Sequence, residues 1–356
     1  MSTGRERNRA YSPPRPGGNI DLFLDANEGA SDGGRLAEAL RSIDPERLRR
    51  YPSATELEAA LAARHGVSPA RVIVTAGADE AIDRVCRAFL APEQRIILPL
   101  PTFEMIGRYA ALAGAGVDGL PWPCGPFPTH EVLARVDDRV RMIAVVSPNN
   151  PTGAVATRAE LEAVARGAPG VMILADLAYA EFADEDLTGA VVSLPNVIAV
   201  RTFSKAWGLA GLRIGYAIGA ECAIERLRAV GSPYPVSGVS LALARHVLEV
   251  GEATMRRGVE RVREERGRLV DVLRTIGARP RASQANFVLA EFDEAGLVWS
   301  RLAASGIAVR RFEPGSGLDG ALRITCPCNE PAFERLCAAL EDCMGRTGTD
   351  RKGAHP

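Results

Sequence analysis

The residue whose type and setting point most directly to chemistry is Lys205, in RTFSKAWGLAGLRIGYAIG at residues 201–219. Of the 43 lysines and arginines, only Lys205 and Lys352 are lysines, and Lys352 lies in the polar C-terminal tail. A lysine amine, unlike a guanidinium, can lose its proton and attack a carbonyl to form an imine. Lys205 directly follows an apolar run, where open α/β sheets place their sites. The sequence therefore favours a nucleophilic amine over an ordinary surface lysine.

Three further side chains could serve an imine-forming cofactor such as pyridoxal phosphate (PLP), which needs an acid at its pyridine nitrogen and partners for its 3-oxygen. Asp176 ends the apolar run GVMILAD, where a carboxylate is costly unless a cation such as the pyridinium pairs with it. Tyr179 follows three residues later, and Asn150 follows another apolar run in SPNNPTG. Asp176 would also suit a helix N-cap and Tyr179 the core, so each residue alone is a weak indication.

A phosphate-binding cradle is predicted from two places in the chain. In VTAGADEAI a strand, a glycine turn and a helix follow one another, so the backbone amides of Ala78 and Asp79 would point at an anion. Thr202 and Ser204 add hydroxyl groups beside the lysine, and Arg213 adds a fork of donors. At this glycine turn, neither the P-loop pattern nor the dinucleotide pattern is present. The order of these groups, more than any one of them, indicates a site for a phosphorylated cofactor.

Composition and charge argue against several other classes of function. The chain is 47% hydrophobic and 24% charged with a net charge of −1, so no electrostatic argument favours nucleic acid or an anionic membrane. No apolar run approaches the roughly 20 residues of a membrane span, and the N-terminal segment lacks the apolar core of a secretory signal. The seven cysteines and four histidines show no zinc-site spacing. We therefore expect reduced thiols, no metal and a cytoplasmic protein.

Short apolar runs alternate with helical patterns through the first part of the chain. This alternation, with strands that are apolar nearly throughout, predicts a mostly parallel sheet that helices cover on both faces. Helices are predicted between several strands, including residues 78–90 and 102–114. The predicted fold class is α/β, with a large domain built on a seven-stranded sheet. The predicted strands are residues 71–77, 94–100, 116–120, 140–147, 170–179, 196–202 and 212–219.

After residue 238 the pattern changes to a long helical region at about 240–276, followed by short strands that alternate with helices. This change predicts a smaller α+β domain at the C-terminus. Glutamates are interleaved with the arginines of the long helix, which favours a solvated helix face over a nucleic-acid stripe. The predicted organisation is an N-terminal arm, a large domain, a small C-terminal domain and a flexible tail, at residues 1–28, 29–236, 237–345 and 346–356.

The run TFSKAWGLAGLRIGY resembles the PLP-lysine signature of the fold-type-I aminotransferases of class I and II. Within that group, the chain is most similar to the histidinol-phosphate aminotransferases. This resemblance rests on a set of nine motifs, which together are highly specific for the superfamily. Eight further motifs occur in the family's order over roughly residues 20–340: LDANEGA, RRYPS, VTAGADEAID, LPTFEM, SPNNPTG, ADLAYAEF, SQANFVL and LRIT.

The resemblance implies a role for each residue singled out above. Lys205 would form an imine with PLP and, once released by substrate, move the proton of the 1,3-shift. Asp176 would keep the pyridine nitrogen protonated, while Tyr179 and Asn150 would bond the 3-oxygen. The phosphate would be held by Ala78, Asp79, Thr202, Ser204 and Arg213.

The resemblance also implies a stacking residue, a second subunit and a substrate clamp. Phe103 would stack on the cofactor ring. Tyr51 would reach the phosphate of the neighbouring subunit's cofactor, which implies a homodimer with shared sites. Arg323 would clamp an anionic group of the substrate, with Arg310 as a second anion-binding arginine and Asn27 as a further substrate-binding residue.

Three departures from the family pattern stand out. Phe103 is often tyrosine in the family, and Leu177 stands where a glutamate is usual. After LRIT the family usually has a glycine turn, whereas this chain has Cys-Pro-Cys at residues 326–328. Because that loop follows Arg323, we expect it to bear on the choice of substrate and not on the cofactor.

The sequence leaves four functions open. The first is transamination between L-histidinol phosphate and 2-oxoglutarate, in histidine biosynthesis. The second is transamination of an aromatic or other amino acid in a specialised pathway, again with a 2-oxo acid as acceptor. The third is PLP-dependent decarboxylation of a phosphorylated amino acid such as threonine phosphate. The fourth, a PLP-binding regulatory domain without turnover, would need a DNA-binding module, for which the N-terminal arm is too short and proline-rich.

Overall fold

The computed structural model describes Pro14, residues 17–30 and residues 33–345 of the 356-residue chain. The predicted tail and most of the predicted N-terminal arm lie outside these residues. Within the described ranges, no helix is long and apolar enough to cross a membrane. The described chain forms one sheet of seven strands and one of five, each packed against helices.

The larger sheet confirms the prediction of a mostly parallel, seven-stranded α/β sheet. Its strands are β2 (Val72–Thr75), β3 (Arg95–Leu100), β4 (Gly116–Pro121), β5 (Val140–Val146), β6 (Met172–Asp176), β7 (Val197–Thr202) and β8 (Gly215–Ile218). They are ordered β2-β8-β7-β6-β5-β3-β4. β8 is antiparallel to both of its neighbours, and every other neighbouring pair is parallel.

Apolar side chains on both faces explain why these segments form central strands. In β3, the buried Ile96 and Leu98 pack into one core cluster and Ile97 packs into another, as the two-residue period of a strand requires. One cluster is completed by α4 (Gly77–Phe89), α5 (Glu104–Leu112) and α9 (Glu221–Ala229). The other is completed by α6 (Thr129–Ala134), α7 (Arg158–Gly167) and α8 (Thr188–Val191).

Three central strands end at the same edge of the larger sheet. β5, β6 and β7 are parallel neighbours, and their register places Val146, the last residue of β5, beside Asp176. The segments that follow these strands therefore leave the sheet side by side. They carry Asn150, Tyr179 and Lys205, so the topology alone brings three of the predicted site residues to one edge.

The smaller sheet contains a strand that the sequence did not reveal. Its strands are β1 (Leu22–Leu24), β9 (Arg279–Pro280), β10 (Phe287–Glu291), β11 (Ile307–Arg311) and β12 (Ala321–Thr325), in the order β1-β11-β12-β10-β9. β1 belongs to the segment predicted as an N-terminal arm, and it pairs in parallel with β11. The proposed boundaries between arm, large domain and small domain stay predictions.

Of the remaining helices, the first three precede the larger sheet, the fourth packs against those three, and the last three pack beside the smaller sheet. The helical region expected at about 240–276 is two helices that meet at Gly251. The glycine, which weakens a helix interior, accounts for the break. The helices not yet named are α1 (Gly33–Arg41), α2 (Glu46–Arg49), α3 (Thr55–His65), α10 (Gly238–Val250), α11 (Glu252–Thr275), α12 (Ala295–Ala304) and α13 (Glu330–Gly345).

Candidate active site

Lys205 lies in the turn that follows β7. Its Nζ donates a hydrogen bond to the backbone oxygen of Ala26 at 3.0 Å, and it lies 5.7 Å from the centre of the Tyr179 ring. Burial, and then the nearby Arg323 guanidinium, lowers the pKa of Lys205 to about 8. At a pH of about 8, roughly half of the amine is therefore neutral and able to act as a nucleophile.

Asp176, the last residue of β6, is a buried carboxylate at the edge of the larger sheet. It is 4% exposed, and its Oδ1 accepts a hydrogen bond from the backbone amide of Ala178 at 3.1 Å. Among the described residues, no lysine, arginine or histidine forms an ion pair with Asp176. Burial raises its pKa to about 7. A cation brought in with a ligand would stabilise the ionised form.

Tyr179 and Asn27 are joined in a buried hydrogen-bond network. Asn27 Nδ2 donates to the Tyr179 hydroxyl at 2.9 Å, and Asn27 Oδ1 accepts from the Thr325 hydroxyl at 2.9 Å. Asn286 Nδ2 donates to the backbone oxygen of Asn27 at 3.2 Å. Asn27 has a φ of 54°, a left-handed conformation that asparagine tolerates better than most residues. Burial raises the pKa of Tyr179 to about 12, so its hydroxyl keeps a proton to donate.

Arg323, in β12, connects the smaller sheet with the segment after β5. Its Nη1 donates to Asn150 Oδ1, and its Nη2 donates to the backbone oxygen of Asp25 at 2.6 Å. The guanidinium lies 5.3 Å from the centre of the Phe287 ring. Arg310 is its cross-strand neighbour in β11. Two arginines on adjacent strands, beside the Lys205 turn, can bind carboxylate or phosphate groups.

The residues of the predicted phosphate cradle come together at the N-terminus of α4. The amides of Ala78 and Asp79 belong to the first turn of this helix, where N–H groups have no carbonyl partner within the helix. Thr202 Oγ1 lies 3.0 Å from Ser204 Oγ, and Arg213 Nη1 lies 3.5 Å from that Ser204 oxygen. Arg213 Nη2 pairs with the Asp79 carboxylate at 3.0 Å. The group offers amides, hydroxyls and a guanidinium to one anion.

Two glycines let the backbone approach closely in this cradle. A Cβ on Gly215 would lie 2.6 Å from the Ala78 nitrogen, and a Cβ on Gly77 would lie 2.6 Å from Arg213 Nη2. Gly77 also has a φ of +80°, a conformation that residues with a side chain rarely adopt. A side chain at either position would displace the amides or the guanidinium, so the glycines are part of the cradle.

Phe103 and Arg310 line an open cleft of about 1110 Å³, to which Asn150 and Arg323 also contribute. Phe103 immediately precedes α5. Because Arg323 contacts Asn150 and lowers the pKa of Lys205, the cleft adjoins the lysine, and it has room for a small substrate. Their predicted contacts with cofactor and substrate stay predictions.

Tyr51 does not line this cleft. It is 81% exposed and stacks on Tyr234, with ring centres 4.5 Å apart and ring planes at 17°. The segment around Tyr51 precedes α3 and lies at the surface of the described chain. Its predicted contact with a cofactor therefore requires a second chain.

A buried ion pair beside the site was missed in the sequence. Arg201, in β7, pairs with Glu181 at 2.8 Å, and their side chains are 4% and 10% exposed. Glu181 Oε1 also accepts a hydrogen bond from Trp207 Nε1 at 3.3 Å. Glu181 follows Tyr179 and Trp207 follows Lys205 by two residues each, so this carboxylate connects the two turns. An arginine directly after the apolar run VIAV was the available signal.

Replacing Arg201 by methionine is expected to lower the free energy of unfolding by about 3–5 kcal/mol. The reason is that Glu181 would remain buried without its cation. Arg158, which pairs with Glu185 at 2.8 Å on the surface, is the matched control, and R158M should change stability by less than about 1 kcal/mol. Urea unfolding followed by circular dichroism measures both. Equal losses of unfolding free energy in R201M and R158M would show that the buried ion pair stabilises the fold no more than the surface pair does.

The residues present fit PLP. Lys205 supplies an amine of lowered pKa for an aldehyde, and Asp176 supplies a buried carboxylate that forms no ion pair within the described part of the chain. The α4 amides, with the hydroxyls and the guanidinium around them, supply donors for a phosphate. Together the fold and these three features define a PLP-dependent enzyme of fold type I.

Comparison with known proteins narrows this class. The family model described as "Aminotransferase class I and II" matches residues 24–340. The chain belongs to this family, and it is a PLP-dependent aminotransferase that moves an amino group between a donor and a 2-oxo acid.

Curated relatives are similar over most of their length. The histidinol-phosphate aminotransferase of Thermoanaerobacter sp. (strain X514) is 34% identical over 287 residues, which are 78% of this chain and 80% of the relative. The histidinol-phosphate aminotransferase of Ruegeria pomeroyi is 36% identical over 321 residues, which are 86% of this chain and 85% of the relative. The similarity therefore extends over both sheets.

Solved structures show the same fold. Histidinol-phosphate aminotransferase from Sinorhizobium meliloti, in complex with pyridoxal-5'-phosphate, superposes with a TM-score of 0.86 at 23% identity, covering 97% of this chain and 98% of that one. L-threonine-O-3-phosphate decarboxylase from Porphyromonas gingivalis superposes with a TM-score of 0.77 at 22% identity, covering 90% and 99%. A transaminase and a decarboxylase thus share this fold, so the fold alone does not select the donor.

The stability of the cofactor-free protein should depend on pH through Asp176. Its folded pKa of about 7 lies above the usual 3.8, so the folded state binds this proton more tightly than the unfolded chain does. The resulting stabilisation is complete below a pH of about 4 and is lost as the pH rises through about 7, by up to about 4 kcal/mol. Thermal melts over this range measure the decline. D176N should remove it, and an unchanged decline in D176N would contradict the assignment.

Proposed function

We propose that the chain transfers the amino group of L-histidinol phosphate to 2-oxoglutarate, which yields glutamate and serves histidine biosynthesis. Relatives named histidinol-phosphate aminotransferase, 34% and 36% identical over most of the chain, support this donor. The observation in the structure that carries the proposal is the pair Arg310 and Arg323. They are neighbours across β11 and β12 and line the same cleft. Paired guanidinium groups suit both a phosphorylated donor and a dicarboxylic acceptor.

Lys205 is the catalytic residue in this proposal. When bound, PLP would supply an aldehyde for the donor's amino group and a ring that can accept electrons. The Lys205 amine holds the cofactor before the donor binds, and it then takes the proton from the carbon that bears the amino group. The pKa of about 8, lowered by burial and by Arg323, keeps part of the amine in the neutral form that this role requires.

Asp176 and Tyr179 tune the ring of the cofactor in this proposal. The buried Asp176 carboxylate holds a negative charge against the ring nitrogen and thereby keeps it protonated. The Tyr179 hydroxyl, whose proton is retained because burial raises its pKa to about 12, donates to the 3-oxygen together with Asn150. Phe103 would cover a face of the ring. The phosphate is bound by Ala78, Asp79, Thr202, Ser204 and Arg213.

The substrate is held by Arg323, Arg310 and Asn27 in this proposal. Arg323 binds an anionic group of donor or acceptor, and its bond to Asn150 ties that contact to the ring-binding residues. Arg310 binds the second anionic group. Asn27 supports the site through its hydrogen bonds with Tyr179 and Thr325, and it reaches a substrate only if one of these bonds is exchanged.

The proposed assembly is a homodimer with shared active sites, in which Tyr51 contacts the phosphate of the partner's cofactor. Support comes from the exposure of Tyr51 and of its stacking partner Tyr234, which are 81% and 51% exposed. Leu48, close by in sequence, is 72% exposed. Exposed apolar side chains of this kind mark a surface that a partner can cover.

The proposed location is the cytoplasm. All seven cysteines lie within the described residues, and all seven are free thiols. Burial raises the pKa of Cys86 to about 12, so its thiol stays protonated and unreactive. Thiols that persist in the reduced form suit a reducing compartment.

A single-turnover screen of amino donors tests the proposed function. The PLP-loaded protein is mixed with L-histidinol phosphate, phenylalanine, glutamate or threonine phosphate, without an acceptor. Conversion of the cofactor to its amine form should be fastest with histidinol phosphate and should also occur with glutamate. Faster conversion with phenylalanine would contradict the proposed donor and would indicate an aromatic amino acid instead. Release of carbon dioxide from threonine phosphate without cofactor conversion would show that the protein catalyses decarboxylation and not transamination.

A further inference from the structure

Glu104 lies in the cleft beside the two proposed substrate arginines. It is the first residue of α5, directly after Phe103, and it lines the cleft together with Arg310 and Arg323. Its Oε1 lies 3.7 Å from Arg310 Nη2, and its Oε2 lies 3.7 Å from Arg108 Nη2. One carboxylate therefore bridges a guanidinium on β11 and another on α5.

Both ion pairs of Glu104 can be exchanged for contacts with a ligand. At 3.7 Å the paired atoms are farther apart than in a charge-assisted hydrogen bond, which is roughly 2.7–2.9 Å long. The Glu104 side chain is 45% exposed, whereas that of Arg310 is 13% exposed. Partly exposed ion pairs of this kind contribute little to stability. An anion that enters the cleft thus competes with a weakly held carboxylate for a more deeply placed guanidinium.

We propose that Glu104 is a specificity-determining residue that occupies Arg310 until an anionic group of the donor, remote from its amine, displaces it. A donor with a remote phosphate must displace or approach the Glu104 carboxylate, while a donor with an uncharged remote group meets no such competition. Small free anions meet the same competition, so Glu104 keeps them from holding Arg310. The donor chemistry rests on the proposed function, whereas the anion competition requires only Glu104 and Arg310.

Calorimetric titration of the PLP-loaded protein with inorganic phosphate tests the competition without turnover. E104Q should bind phosphate about fivefold more tightly than the wild type, since the competing charge is gone. E131Q is the matched control, because it removes the same charge at an exposed position on α6 outside the cleft. R310Q in the E104Q background should abolish the gain. Unchanged affinity in E104Q, or an equal gain in E131Q, would overturn the proposal.

Kinetics with two donors test the specificity. In E104Q the KM for histidinol phosphate should fall about fivefold with kcat unchanged, and the KM for phenylalanine should not change. An equal fall for both donors would overturn the role in specificity. If the wild type does not convert histidinol phosphate at all, the proposed function fails, and the phosphate titration still decides the role of Glu104.

Discussion

Replacing Lys205 by arginine will keep a positive charge in the turn after β7 but will lower kcat by roughly 10⁴-fold or more. A guanidinium neither forms an imine nor takes a proton at ordinary pH, so the substitution removes the nucleophile and the base together. Single-turnover absorbance with histidinol phosphate measures the loss. Circular dichroism should show an unchanged fold, because arginine can also make the hydrogen bond that the half-buried Lys205 donates to Ala26.

The chain supplies its own control for this substitution. Lys352 is the only other lysine, so K352R removes an amine and conserves charge in the same way. K352R should keep wild-type kcat. If K205R retained more than about a hundredth of wild-type kcat, the amine of Lys205 would not be the group that performs the chemistry.

Replacing Asp176 by asparagine will lower kcat by about 10²–10³-fold with a smaller effect on KM. The amide has nearly the shape of the carboxylate but carries no charge, so the ring nitrogen loses the partner that keeps it protonated. Because the effect concerns the electron-accepting ring and not substrate contact, kcat and kcat/KM should fall together. Steady-state kinetics with saturating 2-oxoglutarate measure both.

Asp138 provides the comparison for D176N. It is exposed, on the loop before β5, so D138N makes the same chemical change without touching the site. D138N should keep wild-type kinetics. A D176N enzyme with wild-type kcat would mean that the Asp176 carboxylate acts only as a structural group, for which its bond to the Ala178 amide would suffice.

The sequence predicted the larger sheet and the strand-end residues because both follow from local patterns. Each strand is an apolar run bounded by polar residues, and parallel strands present their carboxyl ends at one edge. The sequence therefore predicts Asp176 and Lys205 at the same edge of the sheet. The glycine turn before α4 predicted the amides of the phosphate cradle in the same way.

Contacts between segments that are distant in sequence could not be predicted from local sequence patterns. Asn27 and Thr325 are hydrogen-bonded although 298 residues separate them in sequence. Arg323 and Asn150 are joined across 173 residues. β1 was also missed, since a three-residue strand such as LFL has too short a pattern to recognise, and its pairing with β11 is set by tertiary packing.

The Cys-Pro-Cys loop at residues 326–328 forms its turn without the glycine usual in the family. Cys328 has a φ of 55°, a conformation that favours glycine, and its amide donates to Glu265 Oε2 at 2.7 Å. Glu265, on α11, is 1% exposed. A buried carboxylate thus holds the strained turn directly after β12, which carries Arg323. An influence of this loop on donor choice stays a prediction.

The central claim is that Lys205 binds PLP covalently, and borohydride reduction tests it most directly. The purified protein, incubated with PLP, should be coloured, and borohydride should bleach it and attach the cofactor irreversibly to one lysine. Peptide mass spectrometry should then find the added mass on Lys205 and not on Lys352. A colourless protein, or a label found on Lys352 alone, would contradict the account.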